Sequence, residues 1–247
     1  MLMLSTKQDA SLSQDTISIG GHGQAKEIIG RFLRNRAAVF GMVVVLFLLF
    51  CAIFPQALTQ YDPIEQNLRD RFAAPSAEHF FGTDEYGRVI FSRVIYGCRS
   101  SMVIGLISVA ISCIIGVVIG ATAGFYGGIT DNLFMRFIDV LMAIPNTLLG
   151  ISIVAALGNS IPNLIIALSI GSIAGYARVV RVSVLSTKGT EYVEAAYATG
   201  ASDFRIIFKY ILPNCLAPII VQATMSVATT IMAATGLSFL GLGVPAP

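Results

Sequence analysis

Five long apolar runs, separated by polar segments, dominate the hydrophobic pattern of this chain. Each run is close to the roughly 20 residues that an α-helix needs to cross the hydrocarbon core of a bilayer. The runs are 37–54, 102–125, 137–157, 161–180 and 214–240. The pattern predicts an all-α integral membrane protein, a polytopic helix bundle with five spans.

The composition indicates a chain that lies in lipid rather than in water. Of its 247 residues, 55% are hydrophobic and only 12% are charged, whereas a soluble domain carries about 25% charged residues. The net charge of +2 gives no reason to expect a nucleic-acid partner. The four cysteines form no C-x-x-C pair, so we interpret them as small apolar residues. His22 and His79 stand far apart in polar regions, and no metal site is predicted.

Charge and polarity divide the chain into three parts. Residues 1–30 are rich in Ser, Gln, Gly and Asp, which predicts a disordered N-terminus. Residues 31–99 hold the first span and a polar external segment, and residues 100–247 hold the other spans. Basic residues precede the first span and fill the segment after the fourth, so the positive-inside rule places both in the cytoplasm. Five arginines between positions 69 and 99 conflict with this orientation, because it puts them outside.

Glycine recurs at helical spacing inside two of the runs. Gly116, Gly120 and Gly124 form a doubled G-x-x-x-G pattern, and Gly171 and Gly175 repeat the spacing. Small residues at this spacing let helix backbones approach closely in membranes. We therefore predict helix-packing stripes, the alternative being simple tolerance of glycine in membrane helices.

The first half of the polar segment 190–213 has the pattern of a short helix. Thr190 stands at an N-cap position, and Glu191 is favourable at the positive end of a helix that reaches residue 199. Gly200 is expected to end that helix. A small surface with one charge, suited to docking into a groove on a partner protein, is formed by Glu194, Ala195 and Ala196.

The second half of segment 190–213 has the pattern of an amphipathic helix. Ser202 stands at its N-cap position, and Pro213 is expected to end it. The spacing i, i+3, i+4 and i+7 puts four apolar residues on one face: Phe204, Ile207, Phe208 and Ile211. We expect this face to lie at the membrane interface.

The spacing of these residues resembles a family motif. Glu194-Ala195-Ala196, then Gly200, then Leu212-Pro213 match the EAA loop of ABC importer permeases, with Tyr210 where the family usually has Ile. The resemblance implies the transmembrane domain of a type I ABC importer, which usually has six spans; the last is not visible in this sequence. The ATPase-coupling residues that it implies are Glu191, Glu194, Ala195, Ala196, Gly200, Leu212 and Pro213.

Three further stretches are similar to the dipeptide and oligopeptide permeases of that family. The first is Phe81-Gly82-Thr83-Asp84 followed by Gly87-Arg88, where Val89 departs from the usual Asp. The others are Met135-Arg136 with Asp139 and Pro145, and the run from Leu237 to Gly243. The resemblance implies a subunit that forms half of the transmembrane pathway for di- and oligopeptide uptake. Nickel complexes and glutathione are the alternative substrates, because the same subgroup pattern serves them.

The chain has no G-x-x-x-x-G-K-[ST] phosphate loop. We therefore expect a transport subunit that binds no cofactor itself, with ATP and Mg used by partner ATPase subunits. The resemblance implies two ATP-binding subunits, a second permease subunit and an extracytoplasmic solute-binding protein, around a chain embedded in the lipid of a bacterial inner membrane.

Four polar residues in or beside the spans are candidates for the transport pathway: Arg136, Asp139, Asn146 and Gln222. Asp139 follows Arg136 by three residues, so the alternative to a gating charge is a local i, i+3 ion pair. Asn146 and Gln222 either line a pore or satisfy neighbouring helices. An ion-coupled secondary transporter would need intramembrane acids or unwound spans, and a membrane enzyme would need clustered catalytic groups. Asp139 alone fits the first alternative, and no such cluster is visible for the second.

Overall fold

The computed structural model describes residues 32–243, so the predicted disordered segment 1–30 lies outside the described residues. The chain divides into two units, Met1–Phe50 and Cys51–Pro247. The first span is helix α1, Arg36–Ile53, which begins in the first unit and ends in the second. Its bounds match the predicted run at 37–54.

Helices make up the regular structure of the second unit as far as it is described. In chain order they are α2 (Pro55–Leu58), a 3-10 turn (Leu68–Asp70), α3 (Ile90–Tyr126), α4 (Gly128–Ala143), α5 (Asn146–Leu157), α6 (Ile161–Lys188), α7 (Glu191–Ala198), α8 (Asp203–Arg205), a π-helix (Ile206–Ile211) and α9 (Leu212–Phe239). By length and composition, 4 helices of the described chain could cross a membrane, or 5 if the bent pair α4–α5 is one span. The predicted all-α, multi-span membrane architecture is therefore confirmed.

The third span differs from the continuous helix predicted over 137–157. Helices α4 and α5 meet at an angle of 86°, and the break falls at Ile144 and Pro145. Proline lacks an N–H and disfavours the helical conformation of the residue before it, and Ile144 accordingly has φ −93° and ψ 124°. Helix α4 also begins at Gly128, nine residues before the predicted run at 137–157.

Helix α3 is longer than its apolar run. It spans 37 residues and begins at Ile90, whereas the predicted run begins at Met102. At a rise of about 1.5 Å per residue it extends about 55 Å, well beyond a hydrocarbon core of about 30 Å. Arg93 and Arg99 therefore lie on a continuous extension of the membrane helix.

Helices α3 and α6 share the most extensive contact among the described helices. A Cβ atom at Gly116 would lie 2.4 Å from the Cβ of Tyr176, and one at Gly120 would lie 2.4 Å from the carbonyl oxygen of Ala177. At Gly124 it would lie 3.0 Å from the carbonyl oxygen of Arg181. The three glycines thus allow the α3 backbone to lie directly against α6.

Buried serines add hydrogen bonds to the same α3–α6 contact. The hydroxyl of Ser112 lies 2.7 Å from the carbonyl of Ser108 in its own helix and 2.9 Å from the carbonyl of Ser169 on α6. The hydroxyl of Ser169 lies 2.6 Å from the carbonyl of Ile165 in its own helix and 3.3 Å from the carbonyl of Ser108 on α3. Such bonds between membrane helices are worth on average about 0.6 kcal/mol each. Close packing and polar contacts together hold α3 and α6 as one pair.

The polar segment before α3 folds around the carboxylate of Asp84. This carboxylate accepts hydrogen bonds from the amides of Tyr86 and Arg88 at 2.9 and 3.0 Å. It also accepts from the Nε of Arg88 at 2.8 Å and from the Nη1 of Arg93 at 2.7 Å. Burial alone would raise the pKa of Asp84, but the amides of Arg88 and Tyr86 and the Arg88 guanidinium lower it to about 2.

Candidate functional site

Helix α7 carries the Glu-Ala-Ala sequence and starts two residues after α6. The carbonyl of Thr190 accepts from the amides of Val193 and Glu194 at 3.0 and 3.1 Å, which begins the helical pattern. The Thr190 side chain makes no cap hydrogen bond; its hydroxyl donates instead to the carbonyl of Thr187 at 2.6 Å. Glu191 and Glu194 both lie in the first turn, where a negative charge is favourable at the positive end of the helix dipole.

Gly200 ends α7 in a Schellman arrangement. The amide of Gly200 donates to the carbonyl of Tyr197 at 2.9 Å, and the amide of Ala201 donates to the carbonyl of Ala196 at 3.1 Å. This pair of bonds satisfies two of the last carbonyls of the helix and requires a left-handed residue at the exit. Gly200 has φ +74°, a conformation in which glycine has no Cβ penalty.

One face of α7 is part of the protein core. Val193 is fully buried and Ala196 is 5% exposed, at the i, i+3 spacing that puts both on one side of the helix. They belong to an apolar cluster whose other buried members come from α3, α6, the π-helix and α9: Ala121, Phe125, Val180, Val184, Ile206, Ile207, Ile211, Cys215 and Ile219. Burial of Val193 alone stabilises this contact by about 2 kcal/mol. Helix α7 is therefore fixed to the ends of the long helices.

The opposite face of α7 is free in this chain. Glu191, Glu194 and Ala195 are exposed, and Tyr192 is 43% exposed. The Glu-Ala-Ala sequence thus splits between the two faces, since Ala195 points outward and Ala196 points inward. The exposed face combines small residues, a ring and two carboxylates, a surface suited to a complementary groove on another protein.

The second half of segment 190–213 differs from the predicted amphipathic helix. After the short α8 the chain forms a π-helix, in which the amide of Leu212 donates to the carbonyl of Ile207, five residues back. The wider turn changes the angular positions of the side chains. Ile207 and Ile211 are buried, whereas Phe204 and Phe208 are 70% and 54% exposed. The prediction of one apolar face with all four residues is therefore wrong.

Pro213 does not end a helix, contrary to the prediction. It is the second residue of α9, and the chain runs as one helical rod from the π-helix into the last span. Pro213 is exposed, and Leu212 packs against the apolar cluster of α7. Ser202 stands at the predicted N-cap position, but its side chain makes no cap hydrogen bond.

Two ion pairs tie α4 to α6. Arg181 Nε and Nη2 lie 2.5 and 2.6 Å from the two carboxylate oxygens of Asp131, a bidentate pair. Arg178 Nη2 lies 2.5 Å from Asp139 Oδ1, with side chains 49% and 59% exposed. Asp139 thus pairs with Arg178 across two helices, and the expected local pair with Arg136 is wrong.

The two other pathway candidates lie beside the α6 glycines. A Cβ at Gly171 would be 3.5 Å from Asn146 Oδ1, and one at Gly175 would be 3.4 Å from Gln222 Nε2. Gly171 and Gly175 therefore leave room for polar side chains, unlike the three glycines of α3, which lie against backbone and Cβ atoms of α6. A cavity of about 90 Å³ between α5, α6 and α9 is lined by Asn146, Gly171 and the α9 threonines 229 and 230.

A larger open groove lies where residues 56–64, the first turns of α3 and the end of α9 meet. Its volume is about 950 Å³, within the range of known ligand clefts. Most of its surface is apolar, and the side chains that can form hydrogen bonds there include Gln60, Tyr61, Arg93, Arg99 and Thr235.

Comparison with known proteins gives the family. Residues 116–247 match the binding-protein-dependent transport system inner membrane components, and residues 23–75 match the N-terminal transmembrane domain of oligopeptide transport permease C. The dipeptide transport system permease protein of Alkalihalophilus pseudofirmus is 43% identical over 222 residues, which cover 90% of this chain and 73% of the relative. That of Bacillus subtilis is 38% identical over 240 residues, covering 97% and 75%. The oligopeptide permease protein of the same organism is 40% identical over 222 residues, covering 90% and 73%.

A helical membrane bundle that carries a Glu-Ala-Ala helix at one end is characteristic of the permease subunits of type I ABC importers. This chain belongs to the family of binding-protein-dependent transport system inner membrane components, in the group of dipeptide and oligopeptide permeases.

Sequence reasoning missed the residues that anchor α7. Val193 and Ala196 show the i, i+3 spacing of a buried face, a signal that the prediction did not use. Phe125 and Lys188, which contact each other at the α3–α6 ends, carry no local signal because they are 63 residues apart.

Proposed function

We propose that this chain forms half of the transmembrane pathway of an ATP-driven importer of di- and oligopeptides. It receives movement from separate ATP-binding subunits through α7. The observation that carries the proposal is the two-faced α7. Its exposed face has Glu191, Glu194 and Ala195, and its buried face is packed against the ends of α3, α6 and α9.

The packing of α7 explains how such coupling would work. An ATP-binding subunit that grips the exposed face moves α7, and the cluster around Val193 passes that movement to the ends of three long helices. The helices then shift between inward-open and outward-open arrangements. The closing of the ATP-binding subunits thus drives the conformational equilibrium of the spans. ATP and Mg act in the partner subunits.

The proposed assembly contains two ATP-binding subunits, a second permease subunit and an extracytoplasmic solute-binding protein. The N-terminus and segment 190–213 face the cytoplasm of a bacterium, and the chain sits in the inner membrane. Basic residues before α1 and in segment 190–213 support this orientation.

Two observations support peptides as the substrate. The relatives are named as dipeptide and oligopeptide permeases, and the groove of about 950 Å³ has the size and hydrogen-bonding groups for a short peptide. Nickel complexes and glutathione are the competing substrates.

Reconstitution with the subunits encoded alongside this chain tests the proposal. Affinity purification through this chain should bring down ATP-binding subunits, and vesicles should take up labelled dipeptide only when ATP is supplied. Uptake driven by an ion gradient without ATP would instead identify a secondary transporter. ATP-driven uptake of nickel or glutathione but of no peptide would refute the substrate alone.

A further inference from the structure

The ends of α3 and α6 are joined by a contact that involves neither the glycine face nor the serines. Lys188, the last residue of α6, donates from its Nζ to the carbonyl of Phe125. Its ammonium also lies 5.5 Å from the centroid of the Phe125 ring. The last carbonyls of a helix lack donors of their own and carry its partial negative charge. A lysine at this place therefore satisfies the end of α3 and interacts with its ring at the same time.

Phe125 contacts the α7 helix on another side. Its ring lies 6.2 Å from the ring of Tyr197, with an angle of 18° between the planes. Phe125 is 3% exposed and shares the apolar cluster with Val193 and Ala196. One residue at the end of α3 is thus held by the last residue of α6 and contacted by Tyr197 in the last turn of α7.

This arrangement bridges the joint between α6 and α7. Only Gly189 and Thr190 separate the two helices, and Gly189 is exposed with no atom near its Cβ position. The apolar cluster around Val193 limits how far α7 can turn about this joint. Within that cluster Phe125 is contacted on both sides of the joint, by Lys188 before it and by Tyr197 after it.

We propose that Lys188 is a positioning residue for energy coupling: by holding Phe125 it makes the end of α3 follow α7. The inference rests on the proposed function and assigns to Lys188 a part of the transmission from α7 into α3, beside that of the apolar cluster. Lys188 is half-buried and lies outside the exposed face of α7 that is proposed to dock.

The test uses the complete transporter in vesicles and measures ATP hydrolysis and peptide uptake separately. Lys188→Met keeps the length of the side chain but removes the donor and the charge. We expect it to hydrolyse ATP within about twofold of wild type and to take up roughly tenfold less peptide per ATP, a loss of about 1.4 kcal/mol of coupling. Lys188→Arg should restore the ratio to within a few-fold, since a guanidinium also donates to carbonyls and packs on rings. Lys188→Gln, which keeps a neutral donor, should lie between.

Arg69→Met is the control, because Arg69 is an exposed cation in the 3-10 turn Leu68–Asp70, outside segment 190–213. It should leave peptide uptake per ATP unchanged. Wild-type coupling in Lys188→Met, or an arginine variant no better than methionine, overturns the inference. If Lys188→Met fails to assemble, the ratio of peptide uptake to ATP hydrolysis is compared between Lys188→Gln and Lys188→Arg. Equal ratios in these two variants overturn the inference. A wild-type transporter with no ATP-driven peptide uptake refutes the proposed function instead.

Discussion

Replacing Gly200 with valine should uncouple ATP hydrolysis from transport more strongly than replacing it with asparagine. A Cβ at Gly200 would meet no atom within 4 Å, so the substitution creates no clash. The cost comes from φ +74°, which is unfavourable for an L-residue by about 1–2 kcal/mol. Valine suffers most because it is β-branched, and asparagine suffers least because it tolerates the left-handed region.

The magnitude follows from the two Schellman hydrogen bonds. If residue 200 leaves the left-handed region, the bonds to Tyr197 and Ala196 are lost, and the chain leaves α7 in another direction. A cost of 1–2 kcal/mol corresponds to roughly a 5–30-fold change in a local equilibrium. We expect peptide uptake per ATP to fall by about that factor in Gly200→Val and by less than about threefold in Gly200→Asn.

The assay is the ratio of peptide uptake to ATP hydrolysis in vesicles that contain the assembled transporter. Copurification of the ATP-binding subunits serves as the control for assembly. A Gly200→Val transporter that assembles and couples like wild type would show that the exit geometry of α7 does not matter. A Gly200→Asn variant as defective as valine would show that the cost is not conformational.

Two predictions concern the rest of the fold. Gly120→Ala places a Cβ 2.4 Å from the Ala177 carbonyl oxygen, so overpacking should cost about 1–3 kcal/mol and lower the thermal unfolding midpoint in detergent; Gly171→Ala, with its nearest contact at 3.5 Å, is the matched control and should change the midpoint little. Asp84 has a folded pKa of about 2 against an ordinary value of 3.8, so its stabilising effect is complete above pH 3.8 and is lost as the pH falls towards 2. The hydrogen-exchange protection of residues 70–93, relative to an unfolded chain at the same pH, should therefore fall in Asp84→Asn at pH 7, and in wild type only below about pH 4; unchanged protection in Asp84→Asn would contradict the role of this carboxylate.

The hydrophobic pattern was enough to predict the membrane helices, because the backbone N–H and C=O groups of each run must form their hydrogen bonds within the helix when it lies in lipid. It missed the 86° bend of α4–α5, because Pro145 lies inside an apolar run whose composition hides the break. It also missed the extension of α3 to Ile90. The added residues are partly polar, and an apolar run marks only the part of a helix that crosses the lipid.

Spacing predicted which residues share a helix face but not what that face meets. Gly120 and Gly171 have the same local pattern, yet one faces a backbone carbonyl and the other faces Asn146. Asp139 had a cation three residues away, but it pairs with Arg178 on another helix. Periodicity also assumed 3.6 residues per turn throughout, and the π-helix at Ile206–Ile211 changes that period.

Cysteine cross-linking can determine which face of α7 contacts the ATP-binding subunit, and coupling through α7 depends on that contact. In a transporter whose four native cysteines have been replaced, Ala195→Cys and Ala196→Cys place single thiols on adjacent residues, one exposed and one 5% exposed. We expect a short cross-linker to join Ala195→Cys to the ATP-binding subunit and to leave Ala196→Cys unjoined. An assembled, active transporter in which Ala195→Cys is never cross-linked, or is labelled only by a reagent confined to the outer side of the membrane, would contradict this expectation.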